Sequence, residues 1–359
     1  MSGGAPDPRP AAPLARFALA GRERAPRRRA PGARAGAWRR IAPAALAAAL
    51  ATGCRPTSGD APPETRHTAE RPYEALLAVP AATEHLLALA EEAARQLGAG
   101  RDDVPDLLAV SLSGPDYVGH AFGPDSWEYL DTLMRLDRAL GRFCGALEAA
   151  GHLAVVLTAD HGSPRLPERE AGGPQGTGRL TAAAVVSAAQ RAAEARLGPG
   201  RWVETYEPPF LVLSEAARAP GRRTTALDAA RAAVRKVAGV AEVWTVDELQ
   251  HDDGTDPDPL RRLAAASVGR DAPGDLFVVP ARGWVADDPE RRGGGTSHGS
   301  PWEYDREVPL LAWGVGVRAA RGDEPLPQAA VAATLAALLD IPPPPYARVA
   351  PAPGVAVPP

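Results

Sequence analysis

Residues 106–140 read DLLAVSLSGPDYVGHAFGPDSWEYLDTLMRLDRAL, and the order of features within them decides the fold class. LLAVSL is an apolar run of strand length, too short for an ordinary helix. Gly114 and Pro115 end it. A long helical pattern then opens at Ser126, an N-cap residue type, and runs to about Ala150. A buried strand, a turn and a helix form the repeating unit of an α/β domain. A second apolar run, LAVVLT at 153–158, leads into the loop ADHGSPRLPE, and another, VPLLAWG at 308–314, follows a glycine-rich loop. Further helices are expected from a Thr83 N-cap to a Gly98 stop and from about Gln328 to Leu339. Alternating strands and helices predict a mostly parallel sheet with helices on both faces.

The loops after or beside these runs carry five side chains of metal-ligand type. Asp116 and His120 lie in DYVGH, Asp160 and His161 in LTADHG, and His298 in GGGTSHGS. Carboxylate oxygen and imidazole nitrogen hold zinc and similar divalent ions. Asp116 and His120 are spaced i, i+4, so a single helical turn points both to one side. Asp160 and His161 are adjacent, which inside a strand would send them to opposite faces. Just past a strand end, with Gly162 giving freedom, both can turn toward one centre. Ligands of open α/β sheets gather at the carboxyl ends of strands, where these motifs fall. His67, His85, His152 and His251 have no such context and are expected to be surface or packing residues. Trp302, Tyr304 and Asp305 in PWEYD are expected to brace the loop of His298.

Read in order, the three motifs resemble the alkaline phosphatase superfamily, in its branch of monomeric bacterial phosphatases and type I phosphodiesterases. The resemblance runs from about Tyr73 to about Pro343. It implies an alkaline-phosphatase-like α/β domain with an inserted α+β cap at about 170–270, and two zinc ions. The residues matching Asp116, His120 and His298 would hold one. Those matching Asp160 and His161, with one more Asp, would hold the other. Two ions about 4 Å apart form a clamp for phosphoryl transfer. The implied substrate is a small phosphate ester, mono- or diester, and the implied state is a monomer. The family's further Asp and its Thr or Ser nucleophile come from an early strand and the helix after it. No apolar strand ending in Asp precedes Leu107. Thr57 and Ser58 in CRPTS lack the Arg of the sulfatase signature that they partly match. The family's Asp-Ile-Ala-Pro-Thr-Leu segment reads AVAATL here, from Ala330.

Composition bounds the rest. The chain has 359 residues, is 45% hydrophobic and carries a net charge of −4, enough apolar content for a large core. The basic stretch RERAPRRRAPGARAGAWRR at 22–40 lacks the aromatic spacing or motif of a nucleic-acid arm, so no nucleic-acid partner is expected. It is followed by IAPAALAAALATG, thirteen apolar and small residues, too short to span a bilayer, and then by Cys54. Basic residues, a short apolar stretch and small residues read as an export signal. The ending resembles a lipoprotein signal, with Ala51 where Leu or Val is usual. Cys54 is thus the lipidation site expected to anchor a periplasmic or outer-surface lipoprotein. Cys144, inside a helical pattern, reads as a small buried hydrophobe. Residues 1–54 are read as a leader, 55–72 as a linker, 73–343 as the incomplete phosphatase-like domain, and 344–359 as a disordered proline-rich tail.

A signal-like start joined to interior family sequence is what an internal deletion or a skipped gene segment would give. Two functions therefore stand at this stage. One is a metal-dependent phosphate-ester hydrolase, weak or inactive without its nucleophile and sixth ligand. The other is a non-catalytic remnant keeping a single well-formed zinc site.

Overall fold

The computed structural model describes residues 77–170, 176–286, 294–322 and 324–355. The leader, the linker and Cys54 lie outside them. In chain order the elements are α1 (Pro80–Leu97), α2 (Gly114–Phe122), α3 (Trp127–Ala150), β1 (Ala154–Thr158), β2 (Gly178–Leu180), α4 (Ala182–Leu197), β3 (Val203–Glu207), β4 (Phe210–Leu213), α5 (Glu215–Arg218), α6 (Arg223–Val234), β5 (Val240–Thr245), α7 (Val246–Gln250), α8 (Pro259–Ala266), β6 (Leu276–Pro280), β7 (Trp284–Ala286), α9 (Glu303–Arg306), β8 (Leu310–Gly314) and α10 (Ala330–Leu338). No described helix is long and apolar enough to cross a membrane.

Helix α1 begins three residues before the expected Thr83. Pro80 occupies the first turn, where its missing N–H costs nothing. Thr83 is instead buried, against Gly114 at the start of α2. Gly98 ends the helix at φ 69°, and the Ala99 N–H returns to the Ala94 carbonyl at 2.9 Å. Ser126 caps α3 as its sequence predicts, accepting from the Tyr129 N–H at 3.1 Å. Leu87, Ala90, Ala139 and Phe143 of these two helices pack with Leu108, Val110 and Leu112. The run 107–112 supplies apolar contacts but belongs to no strand among the described residues.

The fold is mixed α/β, as in an alkaline-phosphatase-like domain, but its sheets are small. β1 and β8 pair antiparallel, from Ala154 opposite Gly314 to Thr158 opposite Leu310. The parallel pairing expected from the sequence occurs only between β2 and β7 among the described strands. A continuous apolar run reports that both faces of a strand are covered and does not encode the direction of its partner.

The inserted unit is the best-packed part. Its sheet has the order β3-β4-β6-β5, antiparallel throughout. β6 is a central strand of this sheet. All five of its residues are buried. Leu276 and Val278 face the core under α4 and α6, while Phe277 and Val279 face Trp244, Leu249 and Ala264. Alternate residues thus serve two cores. Ala189 and Ala193 of α4 and Ala226 and Ala230 of α6 are fully buried, so small side chains let the helices approach closely. Asp275, 5% exposed, accepts from the Leu213 N–H at 2.8 Å and from the Arg218 guanidinium at 2.7 Å. That pairing satisfies a carboxylate which burial would otherwise penalise.

The described part of the proline-rich tail, residues 344–355, forms no helix or strand, as its prolines require. It is nevertheless docked through residue 355. The Ala352 N–H donates to Thr334 Oγ1 at 2.8 Å, and Val355 bridges Val317. Buried Ala352 and Val355 explain why residues 344–355 hold a place instead of being the disordered tail that was expected.

Candidate metal centre

Asp116 and His120 occupy successive turns of α2, so their spacing points them to the same side, with His120 Nε2 3.4 Å from Asp116 Oδ2. The loop after β1 brings His161 Nε2 to 3.9 Å from Asp116 Oδ1, and the loop before α9 brings His298 Nε2 to 3.6 Å from that same oxygen. The His161 and His298 rings stack at 3.4 Å with 14° between their planes, and His120 lies 5.0 Å from His298. Asp160 stands at the edge. Its Oδ2 is 3.7 Å from His161 Nε2, and its side chain is 89% exposed. The structure therefore gathers four of the five sequence-derived residues closely around Asp116, with the fifth adjoining them.

Three backbone contacts join the loops. The Gly295 and Thr296 N–H groups donate to the His120 and Gly119 carbonyls, each at 3.0 Å. Thr296 Oγ1 donates to the Pro164 carbonyl at 2.7 Å, tying the His298 loop to the Asp160–His161 loop. The Gly162 N–H donates to the Asp305 carbonyl at 2.8 Å. A Cβ on Gly295 would stand 2.1 Å from the Gly119 oxygen, and one on Gly162 2.2 Å from the Tyr304 oxygen. Gly162 thus serves close backbone approach, not the conformational freedom inferred from sequence; its φ is not positive.

The PWEYD residues brace the loop. Trp302 Nε1 donates to the Pro280 carbonyl at 2.9 Å, and Tyr304 Oη accepts from the Gly283 N–H at 3.2 Å. Asp305 Oδ2 accepts from the Ser300 N–H at 2.7 Å. Sequence reasoning missed Arg179, whose side chain is 7% exposed; it pairs with Glu168 and reaches the Gly294 and Gly295 carbonyls at 3.2 and 3.1 Å. It also missed Thr296. The run of three glycines before Thr296 was the available signal that backbone there meets backbone. His85, His152 and His251 are exposed and belong to no ligand cluster; His67 is outside the described residues. Cys144 is half-buried against the α1–α3 core, and burial pushes its thiol up.

The donor set, one carboxylate and two imidazoles, is of the kind that holds zinc. The Asp116 carboxylate lies between the two rings, its Oδ2 3.4 Å from His120 Nε2 and its Oδ1 3.6 Å from His298 Nε2. One ligand atom from each of Asp116, His120 and His298 lies within 4.8 Å of the others, the one such cluster among the described residues. His120 Nδ1 lies 2.9 Å from the Thr296 carbonyl, and His161 Nδ1 3.0 Å from that of Gly162. A carbonyl only accepts, so each Nδ1 donates to it, and each Nε2 is the ring nitrogen turned toward the centre, free to bind a metal once it carries no proton. Burial alone would raise the Asp116 carboxyl. The hydrogen bond from His120 and the three neighbouring imidazoles outweigh it, holding Asp116 below the usual carboxylate value. Burial, then His161, pushes His298 below the usual imidazole value. Both shifts favour the deprotonated, metal-binding form.

The chain is 31% identical over 275 residues to alkaline phosphatase PhoK of a Sphingomonas species, covering 72% of this chain and 48% of that protein. It is 27% identical over 252 residues to alkaline phosphatase PafA of Elizabethkingia meningoseptica, covering 67% and 44%. The crystal structure of wild-type PafA superposes with a TM-score of 0.68 at 25% identity, over 78% of this chain and 53% of that one. The chain spans about half the length of the curated relatives it matches. The sequence model for type I phosphodiesterase / nucleotide pyrophosphatase matches residues 32–301, most of the chain, and with the motif order and the gathered ligands it means that this protein belongs to that family.

Proposed function

We propose that this chain is a metal-dependent phosphate-ester hydrolase domain that holds one zinc well and a second poorly, and that turns over slowly by itself. The observation that carries the reading is the Asp116–His120–His298 cluster, in which one ligand atom from each residue lies within 4.8 Å of the others. Three protein ligands suffice for a catalytic-type zinc site, whose remaining position takes water or substrate. When bound there, zinc polarises a phosphoryl oxygen and lowers the pKa of water. The chain's own part is to fix the two imidazole rings, through Thr296 at His120 and through the His161 stack at His298. Burial also lowers the pKa of His298, which favours its metal-binding form. The phosphatase relatives point to small phosphate esters as substrates. Zinc is favoured over other divalent ions by the imidazole-rich donor set.

One observation favours a second reading, a non-catalytic protein keeping a single metal site. Asp160 is highly exposed and lies outside the three-ligand cluster, so the second ion has only His161 and a mobile-reach carboxylate to hold it. No nucleophilic hydroxyl is assigned in either reading. Export and lipidation at Cys54 remain part of the proposal, resting on the sequence pattern alone. The test is elemental analysis of the purified chain, followed by hydrolysis of aryl phosphate mono- and diesters with and without a chelator. Slow, chelator-sensitive turnover lost in His298→Ala supports the hydrolase. A tightly held ion with no turnover above that of the variant supports the second reading.

A further inference from the structure

Arg179 is a buried guanidinium on β2, where it lies opposite Val285 of β7. Its neighbour Leu180 enters the core of the inserted unit. Successive side chains of a strand point to opposite faces, so Arg179 turns away from that core. On its own side it meets the two loops that carry His161 and His298. Its Nε donates to Glu168 Oε1 at 2.7 Å and its Nη2 lies 3.1 Å from Glu168 Oε2, a two-pronged pairing that fixes the plane of the guanidinium. Burial alone would raise the Glu168 carboxyl, but the hydrogen bond from Arg179 helps to hold it below the usual carboxylate value. Thr177 Oγ1, two residues before Arg179, donates to the Pro167 carbonyl at 2.9 Å and keeps the turn of Glu168 against β2.

The same guanidinium reaches the backbone of the His298 loop, with Nη2 3.2 Å from the Gly294 carbonyl and 3.1 Å from that of Gly295. Glycine has more backbone freedom than any other residue, so this segment cannot fix itself. It is held from two edges. On one, the Gly295 and Thr296 N–H groups donate to the His120 and Gly119 carbonyls at the end of α2. On the other stands Arg179. The next carbonyl, that of Thr296, is the acceptor for His120 Nδ1 at 2.9 Å, and His298 follows two residues later. A shift of Gly294 and Gly295 therefore moves the acceptor that orients one ligand and the anchor of another.

We infer that Arg179, oriented by Glu168, is a positioning residue for the metal centre: it holds the Gly294–Thr296 segment where His120 and His298 face one ion, and through it the inserted unit sets the geometry of the site. The inference deepens the metal-centre reading and rests on it. Outer partners that orient metal ligands act on affinity as well as on stability. A pair that only joins two parts of the fold acts on stability alone, and the inserted unit offers one for comparison, Arg218 with Asp275.

The test uses the full chain and three measurements. Competition with a chromophoric chelator gives the zinc Kd, urea unfolding of the metal-free chain gives stability, and visible absorption of the cobalt(II)-loaded chain reports how the ligands surround the ion. Arg179→Lys keeps the charge but cannot serve the Glu168 fork and two carbonyls together. It should weaken zinc binding by about 10–100-fold, the range for a lost outer partner of a ligand, and change the cobalt spectrum. Arg218→Lys should lower stability and leave zinc Kd and cobalt spectrum as in the wild type. Glu168→Gln alters a more exposed side chain, so it should fold even if Arg179→Lys does not. It should weaken zinc binding by at least about threefold, through loss of the charge-assisted fork. Wild-type zinc affinity and cobalt spectrum in Glu168→Gln, or in folded Arg179→Lys, overturn the positioning role and leave the metal-centre reading intact. So does a loss of affinity that Arg218→Lys reproduces at equal loss of stability. Absence of zinc binding by the wild-type chain overturns that reading and the positioning role together.

Discussion

At the scale of single residues, the separations around Asp116 set unequal roles for residues that look equivalent in sequence. DxxxH and TADHG each offer one carboxylate and one imidazole, but Asp116 is half-buried among three imidazoles while Asp160 faces solvent. His120→Ala is therefore expected to weaken zinc binding by more than about 100-fold, beyond what loss of an outer-shell partner costs. Asp160→Ala should change it by less than about threefold, an exposed carboxylate giving little. Competition against a chromophoric chelator measures both; equal losses would mean that Asp160 turns inward on binding. Acidity provides a second check. His298 is held below the usual imidazole value, so the folded chain binds fewer protons there than the unfolded chain does. Stability of the metal-free protein should then fall as pH drops through the unfolded value of about 6.5 and level off below the folded value. The depressed Asp116 works in the same direction at lower pH, its contribution present above the unfolded carboxylate value and lost as pH falls through the folded one. His298→Gln should flatten the melting-temperature profile between about pH 5 and 7. A profile unchanged by the substitution would place the proton uptake elsewhere.

At the scale of elements, the sequence was legible where a local rule acted alone. Ser126 and Gly98 mark real helix ends, because a cap needs only a few neighbouring backbone groups. Thr83 misled because its hydroxyl packs against Gly114, thirty-one positions away, where no local rule could find it. β6 shows the same limit: LFVVP is buried on both faces, and nothing in its residues says which sheet provides the partners. The metal loops follow this division. The ligand types and their order could be read from sequence, whereas three of the contacts that hold the loops together are backbone to backbone and leave only glycine as a trace, and the side-chain ones come from Thr296 and Arg179, which no motif marks. Gly295 shows the consequence. A methyl group there meets the Gly119 carbonyl at 2.1 Å, a backbone atom that cannot rotate away. Gly295→Ala should push the His298 loop off the end of α2, destabilising the chain by about 1–3 kcal/mol and weakening zinc binding with it. Ser126→Ala, about 1 kcal/mol by loss of a cap, should lower stability and leave zinc affinity unchanged. Urea denaturation of the two variants beside zinc titration separates the effects, and a Gly295→Ala protein with native affinity would show that the loop finds its place without that contact.

At the scale of the whole molecule, burial is uneven. Every residue of β6 is buried, whereas no residue of β1 or β8 is, although AVVLT and LLAWG are equally apolar. The run 107–112 is also only half covered. On α3, Trp127, Leu130 and Met134 fall at helical spacing on one stripe and are 70%, 46% and 49% exposed. A side chain of this size contributes about 1.5–3 kcal/mol when it is taken out of water, so a stripe of three is a strong attraction for any apolar surface. The relatives are about twice as long, and the well-packed inserted unit needs nothing beyond its own two helical layers. Expectation of a monomer came from resemblance and took no account of this stripe. The zinc-free and zinc-loaded chain should both bind an apolar-surface dye strongly. Trp127→Lys with Met134→Lys should cut the dye signal by at least half and leave zinc affinity and the far-ultraviolet dichroism unchanged, because both side chains are largely exposed and neither belongs to the ligand cluster. If the double variant keeps the full signal, the exposed surface lies on β1 and β8 instead, and charge introduced at Val155 should then remove it.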